Sequence, residues 1–225
     1  MKRETRIRLR IEGPYACFTR PEMRGDRVSY DVITPSAARG IIEAIYWNPA
    51  IRWVVDRLHV LKPVRFTNIR RNEIRSVISI RNFSVAMSKG IPIEVFVEKD
   101  RIQRDSMILR DVCYVIEAHC RAADRGEKQV PCKYKKIFDR RLSRGQCFRQ
   151  PFLGCREFSA SFKPVSGNVP ISEIKGTHDL GWMLHDIDYA NGIRPKFFHA
   201  VMKDGIMDVP ADPFSGGNDD FAKAC

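Results

Sequence analysis

An α+β protein is predicted for this 225-residue chain by three observations. Strict apolar/polar alternation, clearest from Thr5 to Glu12, marks half-buried strands. Two stretches, 34–47 and 133–142, carry apolar residues at helical spacing. Collected in order, the elements also run strand, helix, strand, insertion, strand, helix, strand, which sets two helices against a sheet.

The first strand places Ile7, Leu9 and Ile11 on one face and Arg6, Arg8 and Arg10 on the other. A turn-rich segment leads to Thr34-Pro35, a cap followed by a proline suited to the first helical position. Ala38, Ile41, Ile42 and Ile45 form that helix's apolar stripe, and Asn48-Pro49 stops it. Gly40 lowers its propensity and marks either close packing or nothing in particular. The run from Ile51 to Phe66 reads as a long strand with Pro63 breaking it or placing it at an edge. Residues 67–105, with the apolar run 91–97, are read as a protruding hairpin or insertion. A second long strand follows, with Val112, Tyr114, Ile116 and Ala118 on one face and Cys113, Val115, Glu117, His119 and Arg121 on the other.

A polar loop (124–129) enters a basic helix with Pro131 before it and Gly145 where a C-terminal cap belongs. Tyr134, Ile137, Phe138 and Leu142 make its apolar stripe, while Lys133, Lys135, Lys136, Arg140, Arg141 and Arg144 crowd the remainder against Asp139 alone. Residues 156–162 make a further strand. This order of strand, helix, strand, insertion, strand, helix, strand is that of the ferredoxin-like or RNA-recognition fold over residues 1–165. Two prolines and two glycines in 163–179 mark a boundary. Residues 166–225 then read as a small antiparallel β unit, turning at Asn191-Gly192 and Asp204-Gly205, with a loose tail.

Charge narrows the partners. With 39 Lys+Arg against 27 Asp+Glu, the formal net charge is +12, and a polyanion such as a nucleic-acid backbone is the favoured partner. The seven cysteines include no C-x-x-C pair and are odd in number, which argues against a zinc site and a disulfide framework. No metal or cofactor is expected, and the lack of any signal-like or membrane-length apolar run points to the cytoplasm and away from a membrane partner. The polar faces of the first and third strands lack the aromatics of RNP motifs, so they read either as an RNA surface or as Arg–Glu pairs beneath a second unit.

The segments YDVITPSAARGIIEAIYWNPAIRW, LRDVCYVIEAH, KYKKIFDRRLSRGQCFRQPFLGCREF and GTHDLGWMLHDIDY, in this order along nearly the whole chain, resemble CRISPR-associated protein family five of the type I-C (Dvulg) subtype. The resemblance implies a ferredoxin-like amino-terminal domain, a small β carboxy-terminal domain and an endoribonuclease. Such a protein cuts precursor CRISPR RNA at the repeat hairpin and stays on the 5′ handle beside the other Cascade subunits. It further implies metal-independent cleavage, in which the neighbouring 2′-hydroxyl attacks the scissile phosphate to leave a 2′,3′-cyclic phosphate and a 5′-hydroxyl. The family's suggested catalytic tyrosine and lysine fall on Tyr46 and Lys133. Some members follow that lysine with a histidine, where this chain has Tyr134.

On physical grounds a lysine in the first turn of a helix suits charge developing on phosphate oxygens, and Tyr46 suits orientation of a 2′-hydroxyl. From the residues alone Lys133 reads equally as a solvated lysine, and Tyr46 as an aromatic anchor. His119, with Glu117 two residues earlier on the same face, is the rival general base. Recognition falls to Lys135, Lys136, Arg140, Arg141 and Arg144, and to the following loop, where Gly145 lets a backbone approach and Phe148 or Arg149 can stack on a splayed base. A non-catalytic RNA-binding assembly subunit is the alternative. A metal-dependent nuclease lacks a carboxylate cluster in the sequence.

Overall fold

The computed structural model describes residues 6–23, 25–77, 79–94, 96–123, 133–188 and 193–211. The expected loop at 124–129, Pro131, Cys132, the Asn191-Gly192 turn and the tail at 216–225 lie outside the described residues. The elements in order are β1 (Arg6–Ala16), β2 (Arg27–Val28), α1 (Pro35–Ile45), β3 (Ile51–Val60), β4 (Phe66–Ile74), α2 (Ile80–Lys89), α3 (Val97–Asp100), β5 (Arg101–Ala122), α4 (Lys133–Ser143), β6 (Ser161–Pro164), β7 (Thr177–Asp188), β8 (Arg194–Lys203) and β9 (Ile206–Asp208).

One mixed sheet, mostly antiparallel, contains all nine strands, in the order β6-β1-β5-β3-β9-β8-β7, with β2 and β4 paired to the far half of β5. β1 lies along β5 from Arg6 opposite His119 to Ala16 opposite Leu109, and β3 lies on the other side from Ile51 opposite Ala122 to Val60 opposite Tyr114. The helices α1 and α4 pack on one face of these strands. There Ile7, Leu9, Ile11, Trp53, Leu58, Tyr114, Ile116 and Ala118 meet Ile41, Ile42, Ile45, Phe138 and Leu142 in one core. The alternation read from β1 and β5 is therefore the alternation between this core and the opposite polar face.

Each helix begins and ends for local reasons. The Thr34 hydroxyl accepts from the Ala37 amide, Pro35 occupies the first turn, and Tyr46 closes α1 in extended geometry. Gly40 meets nothing within 4 Å of where a Cβ would stand, so its presence has no packing cause. After α4 the chain turns at Gly145, whose φ of 64° is the left-handed conformation glycine adopts most readily.

Two elements differ from the sequence expectation, β5 and the strand after the basic helix. β5 runs unbroken for 22 residues, its outer half pairing with β4 to form an arm, and Asp111 at φ 53° marks the change of partner. Within the insertion, helix α2 and the single turn α3 lie between β4 and β5. No residue of α2 is buried, and Val77 and Ile80 are 92% and 86% exposed. The strand expected at 156–162 shortens to Ser161–Pro164, since Leu153 and Phe158 instead close a turn through Leu153 N–H to Phe158 C=O at 2.7 Å.

The β7–β8 hairpin is fastened to α1 and β3 by Asp186, which is 8% exposed. It is paired with Arg39 through both guanidinium nitrogens and with Arg52 at 3.3 Å. Burial alone would raise the Asp186 pKa, but the Arg39 hydrogen bond and the two guanidinium charges outweigh it and hold the carboxyl below its usual range. A depressed native pKa contributes stability that is complete above the unfolded-state value of about 4 and is lost as pH falls through the native value. Asp186→Ala is expected to lose about 2–3 kcal/mol at neutral pH, the lower end for a broken buried pair because Arg39 keeps some solvent and Glu43 at 3.5 Å. Urea melts at pH 7 and at a series of pH values below about 4 check this, since the gap between wild-type and variant midpoints should narrow as the pH falls.

Candidate functional site

The basic helix α4 divides the candidate residues between two flanks. Phe138, fully buried against Trp53 with ring centroids 5.1 Å apart, fixes the helix on the sheet. Lys133, Ile137 and Arg141 follow at i, i+4 and i+8, so they share one row of the helix surface. That row faces the end of α1. The Arg141 guanidinium lies 5.1 Å from the centre of the Tyr46 ring and donates to the Ile45 carbonyl at 3.0 Å, capping the C-terminus of α1 with a cation. Tyr46 is 7% exposed, and its carbonyl accepts from the Trp53 indole at 3.0 Å.

Lys133 stands on the same row two turns before Arg141, about 12 Å along the axis at 1.5 Å per residue. Its Nζ lies 5.0 Å from the centre of the Tyr134 ring, which packs half-buried on the core. Tyr134 therefore holds the lysine ammonium. Lys133 lies against the Tyr134 ring and Tyr46 against Arg141, so a ligand engaging both would have to span the row.

Beyond Gly145 the loop returns to this flank. The Phe148 and Arg149 amides both donate to the Ala44 carbonyl, at 2.9 and 3.2 Å, placing that loop over the last turn of α1. Phe148 is 86% exposed and Arg149 is exposed, so this phenylalanine is not core. No Cβ clash would arise at Gly145; what fixes glycine there is the turn. Arg140, Arg144 and Lys136 project to solvent.

The other flank of α4 borders an open groove of about 770 Å³ along the edge of β1. β6 pairs with β1 only from Leu9 to Glu12, leaving Arg6, Ile7 and Arg8 as free edge. Lys135 and Asp139, ion-paired to each other, line the helix side of the groove, and Pro164 and Val165 the far end. Lys135 thus belongs to this groove, apart from the cations of the Tyr46 flank.

His119 lies on the opposite face of the sheet, and its partner differs from the expected one. Its Nδ1 sits 2.9 Å from both carboxylate oxygens of Asp56, whereas Glu117 pairs with Arg8 at 3.0 Å and lies 3.6 Å from His59. The cause is a bulge: between Val55 and Arg57 the register shifts by one residue, which inserts Asp56 and turns it toward His119. A bulge carries no periodic signal, so Asp56 could not be read from spacing. His119 is therefore on the face away from the helices, separate from Tyr46 and Lys133. That polar face carries arginine–carboxylate pairs, Arg8 with Glu117, Arg10 with Glu12 and Arg57 with Asp208.

Of the cysteines, Cys17, Cys113 and Cys120 are buried and Cys147 and Cys155 partly so, all as free thiols. A hydrogen bond from the Cys155 thiol, with Arg71 and Arg27 nearby, lowers the Cys17 pKa to about 6. No group of three or more potential metal-ligating side chains occurs among the described residues, and no helix there is long and apolar enough to cross a membrane.

Comparison with known proteins matches residues 6–210 to the family described as CRISPR-associated protein (Cas_Cas5). Two proteins named CRISPR pre-crRNA endoribonuclease Cas5d are similar along most of their length. The one from Mannheimia succiniciproducens is 51% identical over 213 residues, 91% of this chain and 95% of that protein. The one from Thermus thermophilus is 37% identical over 228 residues, 93% of each. Among solved structures, that of a CRISPR-associated protein superposes with a TM-score of 0.65 at 26% identity over 92% of both chains. A functionally uncharacterized Streptococcus mutans protein gives 0.64 at 26% identity, over 91% of this chain and 92% of that one.

Proposed function

Since the chain belongs to the Cas5 family of CRISPR-associated proteins, we propose that it is an endoribonuclease that cleaves precursor CRISPR RNA within the repeat and then holds the product's 5′ handle in a type I-C surveillance complex. The 51% identity to a named pre-crRNA endoribonuclease over 91% of the chain carries this reading. The sheet order β6-β1-β5-β3 with α1 and α4 on one face supports a ferredoxin-like core over residues 1–165. The β7-β8-β9 meander, joined at β3, supports a small β unit over 166–225.

In the proposed mechanism the 2′-hydroxyl beside the scissile phosphate gives its proton to water as its oxygen bonds to phosphorus, and the 5′-oxygen takes up a proton from water as its own bond to phosphorus breaks. The products are a 2′,3′-cyclic phosphate and a 5′-hydroxyl, and the reaction is proposed to run without a metal, the RNA supplying the nucleophile that a metal-bound water would otherwise provide. Lys133 neutralises the non-bridging oxygens as their charge grows, steadied by the Tyr134 ring. Tyr46 orients the sugar, and Arg141, against its ring, draws an adjacent phosphate to the same row. Lys136, Arg140, Arg144 and Arg149 track the flanking backbone, while Lys135 and Arg6 border a second track along the β1 edge. The exposed apolar tip of the arm supports contact with other Cascade subunits.

The burial of Tyr46 beneath Arg141 favours one second reading, binding and assembly without cleavage. Mapping the products of repeat RNA by end chemistry separates the two. A single cut within the repeat, leaving a cyclic phosphate and a 5′-hydroxyl, supports the nuclease; intact RNA in a stable complex supports the assembly subunit.

A further inference from the structure

Two aromatic side chains beside Tyr46 are left in solvent. Trp47, the residue after the α1 cap, is 61% exposed, and Phe148, on the loop hydrogen-bonded to Ala44, is 86% exposed. Trp47 was not singled out by periodicity, because it lies just past the end of the helix's apolar stripe. Neither ring stacks on another aromatic ring among the described residues. Side chains of this kind each have roughly 150–250 Å² to bury, so exposing two of them on adjoining loops leaves substantial apolar surface wet. Both loops are firmly held: the Phe148 and Arg149 amides share the Ala44 carbonyl, and the Ala50 amide donates to the Asn48 side chain at 2.9 Å.

The surrounding charge selects the occupant. Arg141 lies against Tyr46, the residue before Trp47, and Arg149 follows Phe148 on the loop held by Ala44, whereas the one carboxylate of the basic helix, Asp139, borders the groove on its other side. A nucleobase attached to a phosphate uses both features, its face on a ring and its backbone on the guanidinium groups, and the chain's net charge of +12 favours that polyanion over a protein surface. We propose that Trp47 and Phe148 are stacking platforms for unpaired bases of the repeat RNA next to the scissile phosphate, so that they set the position of the cut as well as adding affinity. This rests on the processing function above and extends it to a base-binding site.

The chain has three tryptophans, of which Trp53 is buried and Trp182 half-exposed on β7, so fluorescence can assign the contact. Wild-type protein is titrated with repeat RNA carrying a 2′-deoxy sugar at the mapped cut, and compared with Trp47→Phe, Trp47→Ala and Phe148→Ala. Stacking should quench the wild-type emission. Trp47→Phe should abolish the quench yet bind within a few-fold of wild type, since a ring remains. Trp47→Ala and Phe148→Ala should each weaken binding roughly 5- to 100-fold and, in a parallel assay on all-ribose repeat RNA, let the cut position drift. Quenching that persists in Trp47→Phe, or alanine variants that bind and cut as wild type does, overturns the stacking site. If the wild-type protein binds no repeat RNA at all, the proposed function itself fails, and with it this extension.

Discussion

Replacing Lys133 by alanine is expected to slow cleavage of repeat RNA by about 100- to 1,000-fold, the effect of removing one preorganised charge from a site where negative charge develops. Binding should change little, because the remaining cations of α4 and its loop stay in place. The geometry explains why the effect should be large for a solvent-facing lysine. The ammonium lies within cation–π reach of the Tyr134 ring at the first turn of a helix held by Phe138, which reduces the ordering needed to meet a phosphate. Tyr134→Ala should accordingly give a smaller loss of the same kind. Single-turnover rates at saturating protein isolate this step from binding. A Lys133→Ala protein that cuts at the wild-type rate would remove Lys133 from the chemistry.

Phe138→Ala is expected to cost about 3–5 kcal/mol, the usual range for truncating a fully buried aromatic residue. The ring lies between Trp53 and the core under α1, so its loss opens a cavity where α4 joins the sheet. The variant should show a lower denaturation midpoint and, where still folded, weaker RNA binding, because the cations of α4 would no longer share a fixed row. Chemical denaturation followed by circular dichroism measures the first, and a binding titration at a temperature well below the midpoint the second. A loss under 1 kcal/mol would mean that Phe138 does not anchor the helix.

Local signals were legible in the sequence, and long-range ones were not. Thr34-Pro35 defined the start of α1, the arginine alternation gave both faces of β1, and the apolar stripe of α4 named Phe138 and Leu142 as its buried side. Each of these rests on a period or a cap that neighbouring residues express by themselves. The bulge that brings Asp56 to His119 depends on how two strands pair, and the union of β9 with β3 on residues 150 positions apart; neither is written in a local pattern. The same holds for β5, whose turn of partner at Asp111 requires a left-handed residue that aspartate adopts without announcing it. In the candidate site, the family resemblance named Tyr46 and Lys133. Only the packing of α4 shows that Arg141 covers the tyrosine, and that His119 stands on the other face of the sheet.

Incubation of the purified protein with its repeat RNA in excess chelator, with wild type and Lys133→Ala compared in single turnover, tests the central claim most directly. The account predicts one cut by the wild-type protein, with a 5′-hydroxyl on the downstream product, and a strongly slowed cut at the same position by the variant. Tight binding with no cleavage by the wild-type protein under these conditions, even after a divalent metal is restored, would contradict it.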